Sequence, residues 1–522
     1  MIQMQNDIGT STLSTTSTPS QISPDAFLEE LRELVSQFGS GGGSLTPSVY
    51  DTAQVLRFAP PKEGVESGLK WLRENQATDG GWGNPIAPLM RDVPSLAAVL
   101  ALDENNADGT HTHAIEAGLE FLGKQSGQWQ DFSVDDLLVG VELILPTLID
   151  EAAYRKLKIS YLPYLKLIQI GKQKRKIIQR LKVIHGTPAA FSWEAWGEFP
   201  DRYLVDPLYS VGSSTSATSA WIEKARTYYS SMDFSKSMNF LRRASKATGL
   251  DIPGVVPFAW PIDRFEQSFG LYALAIGGLI HHPVLRDAVN SQINQLTAAL
   301  TPYGMPFTDY FIPDLDDTAA TIVAMCKYGI RVNPEILSVF EDGSGYFTYP
   351  GEFHASTSAH ARAVHALSFL TDQNEDLYPK QEVLFQFQTS EGIWPADKWH
   401  KSWFYTTSHM LYALHSIPDT AVVETGLKKL VEGQNADGGW GVNQHSSSAE
   451  TAYVMLALQL YKKQKPDLEY PYRRGQTWLL DAIYRKPVSQ EYLWIGKELF
   501  KPYRIDRAFE LTALIQGILD PS

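Results

Sequence analysis

Gln76-Ala77-Thr78-Asp79-Gly80-Gly81-Trp82-Gly83 recurs near the far end of the chain as Gln434-Asn435-Ala436-Asp437-Gly438-Gly439-Trp440-Gly441. Each copy closes an amphipathic helix. The Asp-Gly-Gly core predicts a tight turn with positive φ, after which the Trp can fold back on the helix end that carries the Gln. Such a clamp joins one helical hairpin to the next. Asp342-Gly343-Ser344-Gly345-Tyr346-Phe347 and Thr389-Ser390-Glu391-Gly392-Ile393-Trp394 are degenerate versions of the same turn. Two well-matched copies so far apart imply two related helical domains, not one array of short fixed period.

Working outward, helical spacing dominates, as in Phe27-Leu28 with Leu31 and Leu34-Val35, and in the apolar stretches 95–102 and 452–458. Alternation of the strand type is scarce. Gly, Pro and Asp interrupt the helices often, which suits stacked helical hairpins and an all-α fold, not a long coiled coil.

At 522 residues, 43% of them hydrophobic, the chain is long enough for two or three domains with full cores. A net charge of −14, with no basic patch carrying interleaved aromatics, argues against nucleic acid as a partner. Cys326 is the sole cysteine, which rules out an intrachain disulfide, argues against a thiolate zinc site and fits a reducing cytoplasm. It lies in an apolar run and is expected in the core. Residues 1–23 are rich in Ser and Thr and the first basic residue is Arg32, so neither a secretory signal nor a transit peptide is expected there. No apolar run approaches the roughly 20 residues that span a bilayer. The expectation is a soluble protein with a disordered leader over 1–23.

Pro313-Asp314-Leu315-Asp316-Asp317-Thr318-Ala319 carries the chemistry. Three carboxylates crowded behind a proline and ahead of an apolar helix cannot all ionise, so at least one is expected to keep its proton near neutral pH. The proline marks a helix start, where the dipole favours an anion. One carboxylate can then take the negative charge while another stays neutral as a general acid. The plain alternative is a helix cap with a solvated acidic face.

The Gln-to-Trp clamps resemble the QW motifs of class II terpene cyclases, and Asp314-Leu315-Asp316-Asp317 resembles that family's Asp-x-Asp-Asp. The likeness is to bacterial-type class II diterpene cyclases of the copalyl, halimadienyl and kolavenyl diphosphate synthase kind, without a class I domain, over most of the chain. Ser48-Val49-Tyr50-Asp51-Thr52-Ala53 is similar to their Ser-x-Tyr-Asp-Thr-Ala, with Gln54 where Trp is usual. Val139-Gly140-Val141-Glu142, Asp397-Lys398-Trp399 and Trp494-Ile495-Gly496-Lys497 are similar to further family stretches.

This resemblance implies two α/α-barrel domains, β and γ. Residues 24–45 plus 262–522 would form β with the acid, and 46–261 would form γ. It implies that Asp316 protonates the terminal alkene of a linear prenyl diphosphate while Asp314 and Asp317 orient the proton, with His360 hydrogen-bonded to the cluster. Cation intermediates call for aromatic faces; Trp399 and Trp260 are the preferred candidates, with Trp193, Phe258, Tyr310, Phe311 and Phe404 behind them. Lys497, then Lys398, would grip a diphosphate that is retained. Mg2+ would sit at Asp131 and Asp135, although Gln130–Asp136 departs from the family's Glu-Asp-x-x-Asp. An ionising Asp-Asp-x-x-Asp is missing.

Copalyl synthases of the ent series carry a His and an Asn that position a water as terminating base. Trp193 and Phe258 stand at those places here, and neither can act as that base. A rearranged halimadienyl or clerodienyl (kolavenyl) diphosphate from geranylgeranyl diphosphate is therefore expected. The alternatives are copalyl diphosphate, drimenyl diphosphate from farnesyl diphosphate, and the product of a squalene-like or meroterpenoid cyclase. The resemblance also implies a homodimer, and a separate class I synthase or phosphatase that takes the product. A protein-binding scaffold and a protein prenyltransferase subunit are the readings from other classes. The first needs no acid cluster, and the second needs a cysteine ligand for zinc.

Overall fold

Three of the Gln-to-Trp turns share one set of hydrogen bonds. In the computed structural model, which describes residues 24–133, 137–343, 345–350, 352, 355–371, 374–485 and 492–519, the indole N–H groups of Trp82, Trp394 and Trp440 donate to the carbonyls of Leu72, Leu384 and Leu430 at 2.6–2.7 Å. Gln76, Gln388 and Gln434 each donate both to their own turn and to the next helix of the outer layer, at Ala114, Val422 and Pro471. Gly80, Gly392 and Gly438 hold φ of 92°, 89° and 102°. A Cβ at Gly80 would lie 2.4 Å from the Ala117 carbonyl oxygen, so both backbone and space demand glycine. Thr389–Trp394 is thus a full copy of the clamp. Asp342–Phe347 is not: Glu341–Asp342 pairs antiparallel with Gly345–Tyr346 as a two-stranded ribbon.

Among the described residues, six helices close a ring, each packed on the next: Asp263–Ile276, Leu315–Tyr328, Thr357–Leu370, Trp403–Ala413, Ser448–Tyr461 and Tyr503–Leu519, which returns to the first. An outer layer surrounds it, and Pro24–Ser36 at the start of the chain packs in that layer against Tyr503–Leu519 and Arg286–Ala299. A second ring joins Val49–Phe58, Asp92–Glu104, Val141–Tyr154, Trp193–Trp196 and Thr215–Tyr228. The all-α, two-ring architecture expected from the sequence is the one observed.

Inner helices are buried all round, which explains their continuous apolar runs; every residue of 92–102 and of 448–458 is buried. Their starts are fixed by side chains: Ser48, Ser214, Ser356, Ser402, Ser447 and Asp314 each accept from a backbone N–H of the first turn. Each such cap contributes about 0.5–2 kcal/mol.

A short hairpin joins the rings. Trp494–Ile495 pairs antiparallel with Leu499–Phe500, and because successive strand side chains face opposite ways, Trp494 and Phe500 enter the core of the first ring while Ile495 and Leu499 enter that of the second. No helix among the described residues is long and apolar enough to cross a membrane. Residues 1–23, expected as a leader, lie outside the described residues.

Candidate active site

The acid cluster opens the Leu315–Tyr328 helix. Asp314 caps it, accepting from the Asp317 N–H at 2.8 Å. Asp317 in turn accepts from the Ser268 hydroxyl, and Asp316 faces Arg362. All three carboxyls border one cavity. Burial raises each of them. Asp314 lies well above the usual carboxylate range, pushed first by burial and then by the neighbouring Asp317 and Asp316. Asp317 is pushed up to about 7, burial outweighing the Ser268 hydrogen bond. Asp316 is also raised by burial, but the Arg362 cation opposes the shift. Three carboxyls so placed titrate as a group that keeps protons at neutral pH.

Arg362 is the residue the sequence reading missed. It comes from the neighbouring Thr357–Leu370 helix, is fully buried, and donates to Asp316 from Nε at 2.9 Å and from Nη2. Its Nη1 donates to the Tyr405 hydroxyl at 2.7 Å. An arginine among the alanines of the inner-helix segment Ala359–Ala366 was the signal that could have found it, since such a residue is rarely buried unpaired. Asp397 anchors this helix by accepting from Ser356 Oγ at 2.7 Å and the Ser358 N–H at 2.9 Å; it also accepts from the Trp399 N–H at 3.0 Å. One carboxylate therefore places both Arg362 and Trp399.

Beyond the acid the wall is aromatic. Phe265 and Phe269 pack tilted at 4.7 Å between centroids and both meet Trp494 edge to face at 5.5–5.6 Å, Phe307 lies against Phe311 at 4.7 Å, and Phe258 bridges Phe191 and Phe500. Trp399 completes it, its indole N–H held by Thr348 at 3.2 Å. Among the described residues, the polar side-chain groups in this lining are the three carboxyls, Arg362, Thr348, Tyr349 and the two indoles. The second ring contributes Val139, Pro188 and Phe191, and the hairpin contributes Ile495 and Gly496.

An acid loaded in an aromatic, largely apolar chamber between two helical rings suits protonation of an alkene. No family model matches the chain. A (+)-kolavenyl diphosphate synthase from Herpetosiphon aurantiacus is 39% identical over 513 residues, 94% of this chain and 97% of the relative. The chain belongs to the class II diterpene cyclases. A copalyl diphosphate synthase from Streptomyces cyslabdanicus is 28% identical over 94% of this cyclase and 96% of its own length. Among solved structures, ent-copalyl diphosphate synthase from Streptomyces platensis superposes with a TM-score of 0.76 at 26% identity, covering 94% of the cyclase and 99% of that chain.

Several residues expected in the site of the cyclase lie elsewhere. His360 does not meet the acids: its Nδ1 accepts from the Tyr346 N–H at 3.3 Å, its ring packs on Tyr346 and Phe387, and burial pushes it down to about 4. Trp193 and Trp260 are core residues of the second ring and do not border the cavity; Trp260 donates to the Gly41 carbonyl at 3.0 Å and packs tilted on Phe240. Tyr310 is exposed, and its neighbour Phe311 takes the wall position. Phe404 stacks on Trp403 in the first core. Phe258 and Trp399 are where they were expected.

Lys497 is buried with all three N–H donors occupied, by Glu194 at 2.7 Å, Ser214 at 2.7 Å and Ser216 at 2.8 Å. It has no donor left for a diphosphate. The adjacent Glu498 accepts from Ser48 and from the Tyr50 N–H, and Asp51 accepts from the Ser216 N–H. The Ser48–Ala53 and Trp494–Lys497 stretches thus meet in one buried polar lattice that fastens the hairpin to the second ring. Lys398 pairs with Glu352 and lies 5.1 Å over the Trp399 ring. Asp131 is exposed, Asp135 lies outside the described residues, and no group of three or more His, Cys, Asp or Glu side chains among the described residues could hold a metal.

Proposed function

We propose that this cyclase protonates geranylgeranyl diphosphate at its terminal alkene and releases a rearranged bicyclic diphosphate of the kolavenyl (clerodane) type, with the diphosphate intact. Asp316 is the proton donor. It is the most open of the three carboxyls to the cavity, 9% exposed against 3% for Asp314 and 2% for Asp317. Its anion is received by two N–H groups of Arg362. Asp314 and Asp317 keep the cluster loaded by repulsion and burial. As the proton adds to the alkene, a tertiary cation forms and the next double bonds close on it in turn, while the Asp316 carboxylate settles on the guanidinium.

The observation that carries the product assignment is the far wall. Phe191, Phe258 and Phe500 pack together there and carry no proton acceptor, while the Thr348 and Tyr349 hydroxyls border the same cavity on the side of Phe311 and the acids. A bicyclic cation held there persists long enough for hydride and methyl shifts before a proton is lost, each ring face contributing about 1–2 kcal/mol when desolvated. The 39% identical relative, named a kolavenyl diphosphate synthase, supports the same outcome. Lys398 stands beside the acid, at the alkene end, and so does not hold the diphosphate at the opposite end of the chain. We further propose that the rings correspond to domains 24–45 plus 262–522 and 46–261. The cyclase would act in the cytoplasm and pass its product to a separate class I synthase or phosphatase.

The test is incubation with geranylgeranyl diphosphate, with Mg2+ and with chelator, followed by phosphatase and NMR of the alcohol. A clerodane or halimane skeleton supports the reading. A labdane skeleton makes the enzyme a copalyl-type synthase and overturns the argument from the missing base. Equal turnover under chelator removes Mg2+ from the reaction.

A further inference from the structure

The net charge conceals a basic surface. From Arg155 to His185 the chain carries ten lysines and arginines and no Asp or Glu, against a whole-chain charge of −14. The expectation was of no basic patch with interleaved aromatics, whereas this basic stretch includes Tyr161 and Tyr164. Arg155 pairs with Asp103, Lys174 with Glu142, and Arg175 with carbonyl and hydroxyl groups of the second ring. Lys156, Lys158, Lys172, Lys176 and Arg180 are exposed and make no ion pair or side-chain hydrogen bond among the described residues. Large apolar side chains are exposed among them: Leu162 at 75%, Leu181 at 59%, and also Leu165, Ile177 and Ile184.

The end of this surface lies beside the cavity. The Gly186 carbonyl accepts from the Ile312 N–H at 2.8 Å, which ties the end of the basic stretch to the segment entering the acid-bearing helix, and Pro188 already borders the chamber.

We propose that residues 154–185 dock the protein on an anionic lipid bilayer, with the cavity rim turned toward the membrane. Lys156, Lys158, Lys172, Lys176 and Arg180, which pair with no acid among the described residues, match a negatively charged surface, and the aliphatic side chains between them enter the interface, as in peripheral amphipathic anchors. A nucleic acid would use the cations but gain nothing from Leu162, Leu165, Ile177 and Leu181, and a long polyanion would run on to the acidic remainder of the chain. The placement gives a long-chain amphiphile a route from bilayer to chamber. The docking itself is independent of which diphosphate is made.

The experiment is vesicle co-sedimentation of the full chain, read without any turnover. Each basic residue near an anionic surface adds about fivefold to partitioning, so vesicles with about one-third phosphatidylglycerol should retain the protein at least about tenfold better than pure phosphatidylcholine. That preference should collapse in high salt and in the Lys172→Glu/Lys176→Glu/Arg180→Glu variant. Leu162→Ser/Leu181→Ser should weaken what salt leaves. Lys156→Glu/Lys158→Glu gives a second charge series should the triple variant fold poorly. Equal partitioning to both vesicles, or anionic binding untouched by either charge series, overturns the proposal. So does retention on RNA but not on vesicles, or a dimer in sedimentation velocity that the same charge reversals dissolve.

Discussion

Replacing Arg362 by Gln isolates the step in which Asp316 becomes negative. The guanidinium gives Asp316 two N–H contacts, one at 2.9 Å from Nε and one from Nη2. Hydrogen bonds to a charged partner contribute about 1.5–3 kcal/mol each, and only their excess for the anion over the neutral acid accelerates the reaction. Taking about 3 kcal/mol for the pair, turnover should fall about a hundredfold at 1.36 kcal/mol per decade. The pH profile separates this from mere loosening of the Arg362 hydrogen bonds to the Tyr405 hydroxyl at 2.7 Å and the Ser358 hydroxyl at 3.2 Å. Asp316 must be protonated to act, so activity is present below its pKa and lost as pH rises through it. Arg362 lowers that pKa; its removal therefore moves the falling limb to higher pH. Single-turnover rates at saturating substrate from pH 5 to 9, with near-ultraviolet circular dichroism as the check of folding, measure both effects. Arg362→Lys should recover part of the rate. A folded Arg362→Gln enzyme within threefold of the parent, with an unshifted limb, refutes the role given to this arginine.

Phe258→His places a proton acceptor on the aromatic wall and should divert product toward an unrearranged labdane skeleton by NMR; an unchanged product mixture counts against the missing-base argument. Lys497→Met leaves Glu194 charged and buried, which should cost about 3–5 kcal/mol. Its Tm should drop while KM in the folded fraction holds, and the opposite pattern would return Lys497 to the diphosphate. Stability should also depend on pH in a defined sense. Burial pushes Asp317 and Glu498 up to about 7, so the folded state holds protons that the unfolded chain has released above about pH 4, and stability is lost as pH rises through 7. Buried His365 and His400, pushed down to about 3, add stability as pH rises toward 6.5 and nothing beyond it. Calorimetry should therefore show Tm falling from pH 6.5 to 8, a slope that Glu498→Gln flattens; a rising Tm would contradict the assignment.

The clamps were legible in the sequence because the bonds that shape each turn are local: Gln434 reaches Gly438 and Trp440 reaches Leu430, and only the second Gln434 bond, to Pro471, crosses to the next helix. The acid cluster was legible because three carboxylates at the start of an apolar helix are costly to bury, and a protein rarely carries that cost without proton chemistry to perform. Lys497 was misplaced for the converse reason. Its partners Glu194, Ser214 and Ser216 lie hundreds of residues away, and a short motif does not say which way its side chain faces. Trp193 and Trp260 show the same limit, since core and cavity aromatics look alike along the chain. His360 drew attention as a titratable group beside the right helix start, while Arg362, one short step further along that helix, faced the acid. The basic stretch was hidden by averaging, because the acids that outweigh it lie elsewhere in the chain.

The hairpin at 494–500 makes the shape of the chamber joint property of two folding units. Any substitution that reshapes the wall at Ile495 or Phe500 also disturbs a core, each residue belonging to a different ring. Selectivity and robustness are consequently hard to vary separately along this seam. Chimaeras assembled from two relatives should keep the hairpin together with the Ser48–Ala53 and Ser214–Ser216 contacts of its own parent, since a crossover that divides them would leave Asp51, Glu194 and Lys497 to find strangers.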